Sequence, residues 1–193
     1  MTEHPDFRGL DDVGTVGVVG AGTMGNGIAQ VSATAGYDVV MRDVQESFVA
    51  DGLDAVDDSL SRLVRKGTLT EDEAAAARDR VTGTTELDDL AAADLVVEAA
   101  PEEMELKRDV FADLDAATDG DVVLATNTST LSVTTIAAAT ERAPLVLGLH
   151  FMNQVPLMKG VELVVGERTA DQVVAFGHAF AESLGKETWE ADD

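Results

Sequence analysis

Short apolar runs alternating with amphipathic stretches predict an α/β fold, a doubly wound and mostly parallel sheet with helices on both faces. Two bulk properties agree. The chain has 193 residues, enough for one domain with a sizeable core, and 45% of them are hydrophobic, too many for a disordered acidic polymer. Taken in order, residues 16–19 form a first apolar strand and 24–35 an amphipathic helix. Residues 38–41 are a second strand, and 44–66 a long helix that Gly67 ends. Thr70 and Glu73 have the spacing of a capping box, which opens a helix running to about Arg80. A strand at 95–97, a helix at 104–117, a strand at 122–125 and a short helix at 132–139 follow. The pattern closes with strands at 145–149 and 161–165 and a helix at 171–184, before Gly185. Right-handed crossovers then put the loops that carry chemistry at the carboxyl ends of the strands.

The formal net charge is −24, spread as −5 over residues 1–50, −8 over 51–100, −6 over 101–150 and −5 over 151–193. An even negative coat excludes DNA, RNA and anionic membranes as partners, since all three attract basic surfaces. Self-repulsion at this density is tolerable where molar salt shrinks the Debye length to about 3 Å, which points to the cytoplasm of a halophile. The plainer alternative is an ordinary acidic protein. The absence of cysteine removes disulfide and thiolate chemistry, and no metal site is expected. The first twelve residues have neither a basic n-region nor an apolar h-region, and no apolar run approaches the length of a membrane span. The chain reads as soluble and cytoplasmic.

Gly20-Ala21-Gly22-Thr23-Met24-Gly25 is a G-x-G-x-x-G, weak alone but strengthened by its context. An apolar strand precedes it, an amphipathic helix follows, and Asp43 closes the second strand. In such a Rossmann-type turn the first glycine allows the tight bend and the second lets the backbone approach a pyrophosphate. The third lets helix and strand pack closely while the helix N-terminus faces the anion. Asp43 would accept hydrogen bonds from ribose hydroxyls and repel a 2′-phosphate, favouring NAD over NADP. Arg42, as the adjacent strand residue, should point to the opposite face.

Other polar residues fall on the same rim. Glu98 closes one strand, Asn127-Thr128-Ser129 follows the next, and His150 follows the one after. His150 is the natural proton acceptor for oxidation of a secondary alcohol, since imidazole takes a proton at neutral pH. Glu162 opens the next apolar run, where a turn brings it back beside the ring to fix the tautomer and stabilise the imidazolium. Arg62, Arg65 and Lys66 share one helical face, suited either to phosphates or to the C-terminal helix dipole.

Read onward, GAGTMGNGIAQVSATAGYDVVMRD (20–43), DLVVEAAPEEMELKRDVFADLD (94–115), ATNTSTLSVTTIA (125–137) and GLHFMNQVPLMKGVELVVG (148–166) together resemble the 3-hydroxyacyl-CoA dehydrogenase family. The resemblance runs from Val16 to Lys186. It implies NAD-dependent oxidation of an (S)-3-hydroxyacyl-CoA to the 3-ketoacyl-CoA, with His150 and Glu162 as the acid–base pair. It gives Ser129 contact with substrate oxygen and cofactor, and places Asn153 near the histidine, where turn chemistry is the alternative for both. It gives Glu102 and Lys107 contact with the nicotinamide ribose, against the alternative of a solvated face pairing Glu103 with Lys107. It carries CoA contacts onto Ser59 and Lys66.

Two departures stand out. Gln154 occupies a position where the family pattern has proline, which should loosen the loop carrying Asn153. Gly160 replaces a larger apolar residue and should add freedom before Glu162. The expected organisation is a polar lead at 1–14, an NAD-binding domain at 15–186 and a hinge at 187–193 leading toward a helical C-terminal domain that the family has and this sequence lacks. An acyl-CoA substrate and either a homodimer or a complementing C-terminal chain follow from that reading. Alternatives are a catalytically silent NAD-binding module and a sugar-acid dehydrogenase of the same superfamily.

Overall fold

A computed structural model describes residues 6–193. In chain order the elements are β1 (Thr15–Val19), α1 (Thr23–Thr34), β2 (Asp38–Arg42), α2 (Glu46–Arg65), α3 (Glu71–Asp79), β3 (Val81–Thr84), β4 (Leu95–Glu98), α4 (Met104–Ala117), β5 (Val123–Thr126), α5 (Val133–Ala137), β6 (Val146–Phe151), β7 (Gly160–Val165), α6 (Asp171–Ser183) and β8 (Glu187–Asp192). The strands form one sheet in the order β3-β2-β1-β4-β5-β6-β7-β8. Every neighbouring pair is parallel except β6–β7. This is the doubly wound, mostly parallel Rossmann-type sheet expected.

The central strands β1, β4, β5 and β6 are buried along almost their whole length, because helices cover both faces. The period of two divides the core. Val16, Val18, Leu95 and Val97 pack with Ile28, Leu60 and Phe180 on one face, whereas Val19, Val96 and Leu124 pack with Phe111, Leu114 and Ile136 on the other. Within the otherwise buried β6, His150 is the one residue partly open to solvent. The Thr70–Glu73 capping box is formed, with Thr70 N–H donating to Glu73 Oε2 at 2.8 Å and Glu73 N–H to Thr70 Oγ1 at 3.2 Å.

Two strands escape the sequence pattern. β3 is a four-residue edge strand with one apolar residue, and its register on β2 rather than its composition defines it. Within residues 187–193, read from the sequence as a hinge, Glu187–Asp192 form the acidic strand β8 parallel to β7. The polar lead is docked rather than loose. Phe7 packs edge-on against Phe176, and Arg8 reaches Asp94, Asp119 and Asp121 at 2.6–3.2 Å. Residues 1–5 of that lead, His4 among them, lie outside the described residues. Among the described residues, no helix is long and apolar enough to cross a membrane, and no group of His, Asp and Glu is arranged to hold a metal ion.

Candidate active site

The three glycines of the loop do different work. Gly20 has φ +98°, and a Cβ there would meet the Ala99 carbonyl oxygen at 2.7 Å. At Gly25 an added Cβ would lie 1.7 Å from the Gly20 oxygen, so only glycine lets α1 abut the turn. A Cβ on Gly22 would meet nothing within 4 Å, and α1 begins at the next residue, where Gly22 supplies no side-chain cap for the first amides. The open space is part of a cavity of about 610 Å³ bordered by Gly20, Gly22, Asp43, Phe48, Ala100 and Leu106. Ala21, Thr23 and Met24 also border it, whereas Gly25 lies buried behind. Asp43 Oδ2 accepts from Ala21 N–H and its Oδ1 from Val44 N–H, both at 2.7 Å, which locks the carboxylate against the loop. Val44, Phe48 and Leu106 are exposed apolar side chains that meet at this cavity. A glycine cradle at a helix N-terminus, a carboxylate and an apolar slot together suit a dinucleotide. Arg42, expected on the opposite face, borders the same cavity, with its Nε bound to the Thr85 carbonyl.

One wall of that cavity, the 99–101 turn, is braced from beneath. Glu98 and Lys107 are both fully buried, with Lys107 Nζ donating to Glu98 Oε1 at 2.6 Å and to the Ala100 carbonyl at 3.2 Å. Glu98 Oε1 also accepts from Ala100 N–H, and Oε2 from Thr126 Oγ1. Lys107 therefore lies neither on a solvated face with Glu103 nor on a surface open to a ribose; it holds the turn from inside. The i, i+4 spacing is there, but the ammonium turns inward because a buried carboxylate waits at the strand end. Glu102 Oε1 accepts from Thr128 Oγ1 at 2.7 Å, Ser129 N–H at 2.9 Å and Thr130 N–H at 3.1 Å, so it fastens the loop that carries Ser129. Partial burial opposes ionisation, but these donors and the nearby Lys107 charge hold its pKa below the usual glutamate value.

His150 and Glu162 are direct partners in the β6–β7 register, and His150 Nδ1 lies 3.1 Å from Glu162 Oε2. Antiparallel pairing, rather than a free turn, brings them together. The other Glu162 oxygen accepts from the indole N–H of Trp189 at 3.0 Å, and Trp189 is the register partner of Glu162 on β8. The hydrogen bond with His150, then that from Trp189, holds the Glu162 carboxyl below the usual glutamate pKa. Behind the histidine, Asn127 Oδ1 accepts from Phe151 N–H at 2.8 Å and pins the end of β6. The sequence pattern puts Asn127 on the rim without showing this role, and Trp189 stands in it only as a lone tryptophan in an acidic segment.

Ser59, Lys66 and Asn153 border a second cavity of about 550 Å³, together with Arg62 and Gln154. Arg65, placed with Arg62 and Lys66 by spacing, does not border it. The loop between β6 and β7 is tied down rather than loosened. Gln154 adopts φ +66°, its N–H donates to Asn153 Oδ1 at 2.8 Å, and its carbonyl accepts from Leu157 and Met158 N–H. From below, buried Lys186 donates to the carbonyls of Val155 and Met158 at 2.6 and 2.7 Å, and burial lowers its pKa.

Residues 15–193 match the family model described as "3-hydroxyacyl-CoA dehydrogenase, NAD binding domain". The chain belongs to that family. A 3-hydroxybutyryl-CoA dehydrogenase of Bradyrhizobium diazoefficiens is 43% identical over 178 residues, 92% of this chain and 61% of the relative. One of Mycobacterium tuberculosis is 43% identical over 185 residues, 95% of this chain and 65% of the relative. The crystal structure of (S)-3-hydroxybutyryl-CoA dehydrogenase from Ralstonia eutropha superposes with a TM-score of 0.92 at 44% identity, covering 94% of this chain and 64% of that one. The chain thus spans somewhat under two thirds of these relatives. The family is one of NAD-binding domains, so the cofactor expected from the glycine loop and Asp43 stands.

Proposed function

We propose that this chain carries the cofactor site and the acid–base pair of an NAD-dependent dehydrogenase that oxidises an (S)-3-hydroxyacyl-CoA, such as 3-hydroxybutyryl-CoA, to the 3-ketoacyl-CoA in fatty-acid or butanoate metabolism. The carrying observation is the His150–Glu162 pair at the end of β6, on the rim that holds the glycine loop. The cradle of Gly20, Gly22 and the α1 N-terminus, with Asp43 beside it, would hold NAD, which when bound supplies the hydride acceptor. With Nδ1–H donated to Glu162, His150 presents Nε2 as the base for the substrate hydroxyl proton, and Glu162 stabilises the resulting imidazolium. Ser129, on the loop fastened by Glu102, supplies a hydroxyl for the substrate oxygen and the cofactor. Glu102 and Lys107 serve the ribose side by fixing the loop and turn that face it.

The second cavity, with Ser59, Arg62, Lys66 and Asn153, is the place for the acyl-CoA; Arg62 and Lys66 bring positive charge for its phosphates in a strongly acidic chain. The relatives named for 3-hydroxybutyryl-CoA favour a CoA ester over a sugar acid. The even acidic coat supports work in molar salt inside a halophile's cytoplasm. A homodimer or a complementing C-terminal chain would complete the substrate cleft.

The test is NADH formation from 3-hydroxybutyryl-CoA in molar KCl, with and without such a complementing chain. His150→Gln is expected to lower kcat roughly 100-fold or more while leaving NAD affinity unchanged. Wild-type turnover by that variant would sink the acid–base assignment. NAD binding without turnover under either condition would select the silent-module reading.

A further inference from the structure

Glu162 is held at both oxygens. Oε2 faces His150 from β6, and Oε1 accepts the Trp189 indole N–H from β8. The indole has room to reach it because residue 160 is glycine: a Cβ there would lie 2.8 and 2.9 Å from the far ring carbons of Trp189. Gly160 does not have a positive φ, so conformational freedom is not what requires it. The small residue on β7 and the large one on β8 fit each other, and their fit delivers a hydrogen-bond donor to the carboxylate.

From this we infer that Trp189 is a positioning residue for the acid–base pair: its ring lodges over Gly160 and its N–H fixes the Glu162 carboxylate so that the other oxygen stays on His150 Nδ1. The inference rests on the acid–base reading of His150 and Glu162 given above. A carboxylate held at one oxygen alone rotates about its terminal torsion, which is broad and soft. With both oxygens engaged, the imidazole is kept in one tautomer and orientation, with Nε2 left for the substrate proton. His150 and Trp189 are the groups that act on this carboxyl. Glu190, next along β8, points the other way and lies 2.9 Å from His178 Nε2 on α6, and Thr188 lies 2.7 Å from Nδ1 of that ring. That pair steadies β8 from its opposite face without facing Glu162.

The experiment is a pH titration of the Glu162 carboxyl, followed by carbon NMR in the intact chain at molar KCl, in wild type, W189F and G160A. Phenylalanine keeps an aromatic ring over Gly160 and deletes the N–H. Alanine at 160 keeps the N–H and pushes the ring away. Both changes are expected to raise the Glu162 midpoint by roughly half a pH unit, because a donor to the ionised form is lost. In wild type, the single indole N–H resonance should titrate with the Glu162 midpoint. A folded W189F chain whose Glu162 midpoint is unmoved overturns the inference. This readout needs no turnover, so a failure of the His150→Gln test removes the acid–base reading and leaves the titration result to be judged separately.

Discussion

Around the glycine loop, backbone is pressed against backbone: the Gly20 carbonyl occupies the space a Gly25 side chain would need, and Ala99 crowds Gly20 in turn. At the β6–β7 end of the same rim, side chain meets side chain. His150 is held by Glu162, and Glu162 by Trp189. The first arrangement admits little variation, because no rotamer change relieves a main-chain clash. In the second, one residue can be exchanged when a neighbour compensates, and both departures from the family pattern, Gln154 and Gly160, fall there. Under the proposed function, the contrast separates what would bind the cofactor from what would tune the proton transfer.

The largest effect should come from the brace beneath the first region. Lys107→Met leaves the Glu98 carboxylate buried with no counter-charge, a change that costs about 3–5 kcal/mol in buried pairs. Denaturant midpoints should show it, and adding Glu98→Gln should recover part by removing the stranded charge. Because the same lysine holds the Ala100 carbonyl at the edge of the cofactor cavity, NAD affinity measured by calorimetry should fall with stability. If Lys107→Met loses less than about 1 kcal/mol, the claim that the first region is the rigid one fails.

The second region should respond less, and in opposite directions to two substitutions at one position. Gln154→Pro cannot keep φ +66° and lacks the N–H that reaches Asn153, so it should cost about 2–3 kcal/mol and disturb the loop. Gln154→Gly removes the left-handed strain of about 1–2 kcal/mol and loses part of it to added unfolded-state entropy, for a net gain near 0.5 kcal/mol. Thermal unfolding of the two variants checks the sign. A proline that is neutral there would show that this loop has the family's conformation after all.

How much of this was legible beforehand follows the same division. The order of the other elements, the glycine loop and the steric roles of Gly20 and Gly25 could be read because they depend on local pattern and on backbone sterics. The His150–Glu162 pairing was visible as spacing, and the antiparallel register supplied its geometry. What the sequence hid depended on distant partners. β3 exists because β2 offers an edge, and β8 because β7 does; neither has an apolar pattern of its own. Lys107 has the surface spacing of an exposed helix residue, and a buried carboxylate nine positions away turns it inward. Gly160 reads as flexibility until the indole of Trp189, 29 positions on, is seen to fill its space.

The smallest expected effect lies where the two regions touch. Glu102, beside the braced turn, gathers Thr128 Oγ1 and the N–H groups of Ser129 and Thr130, and so links the rigid side to the loop that carries Ser129. Its pKa is depressed in the folded state, so its contribution to stability is present above the ordinary glutamate value of about 4.3 and is lost as pH falls through the lower folded value. Glu102→Gln keeps an acceptor oxygen and removes only the charge. The carboxylate is partly exposed and screened by solvent, so the loss at neutral pH should be about 1 kcal/mol or less. The two stability curves should therefore lie apart near pH 6 and converge toward pH 3, with wild type losing the extra stability as Glu102 protonates. Curves that stay parallel through that range would mean the loop carrying Ser129 is held by its own turn, and that the two regions are not joined through Glu102.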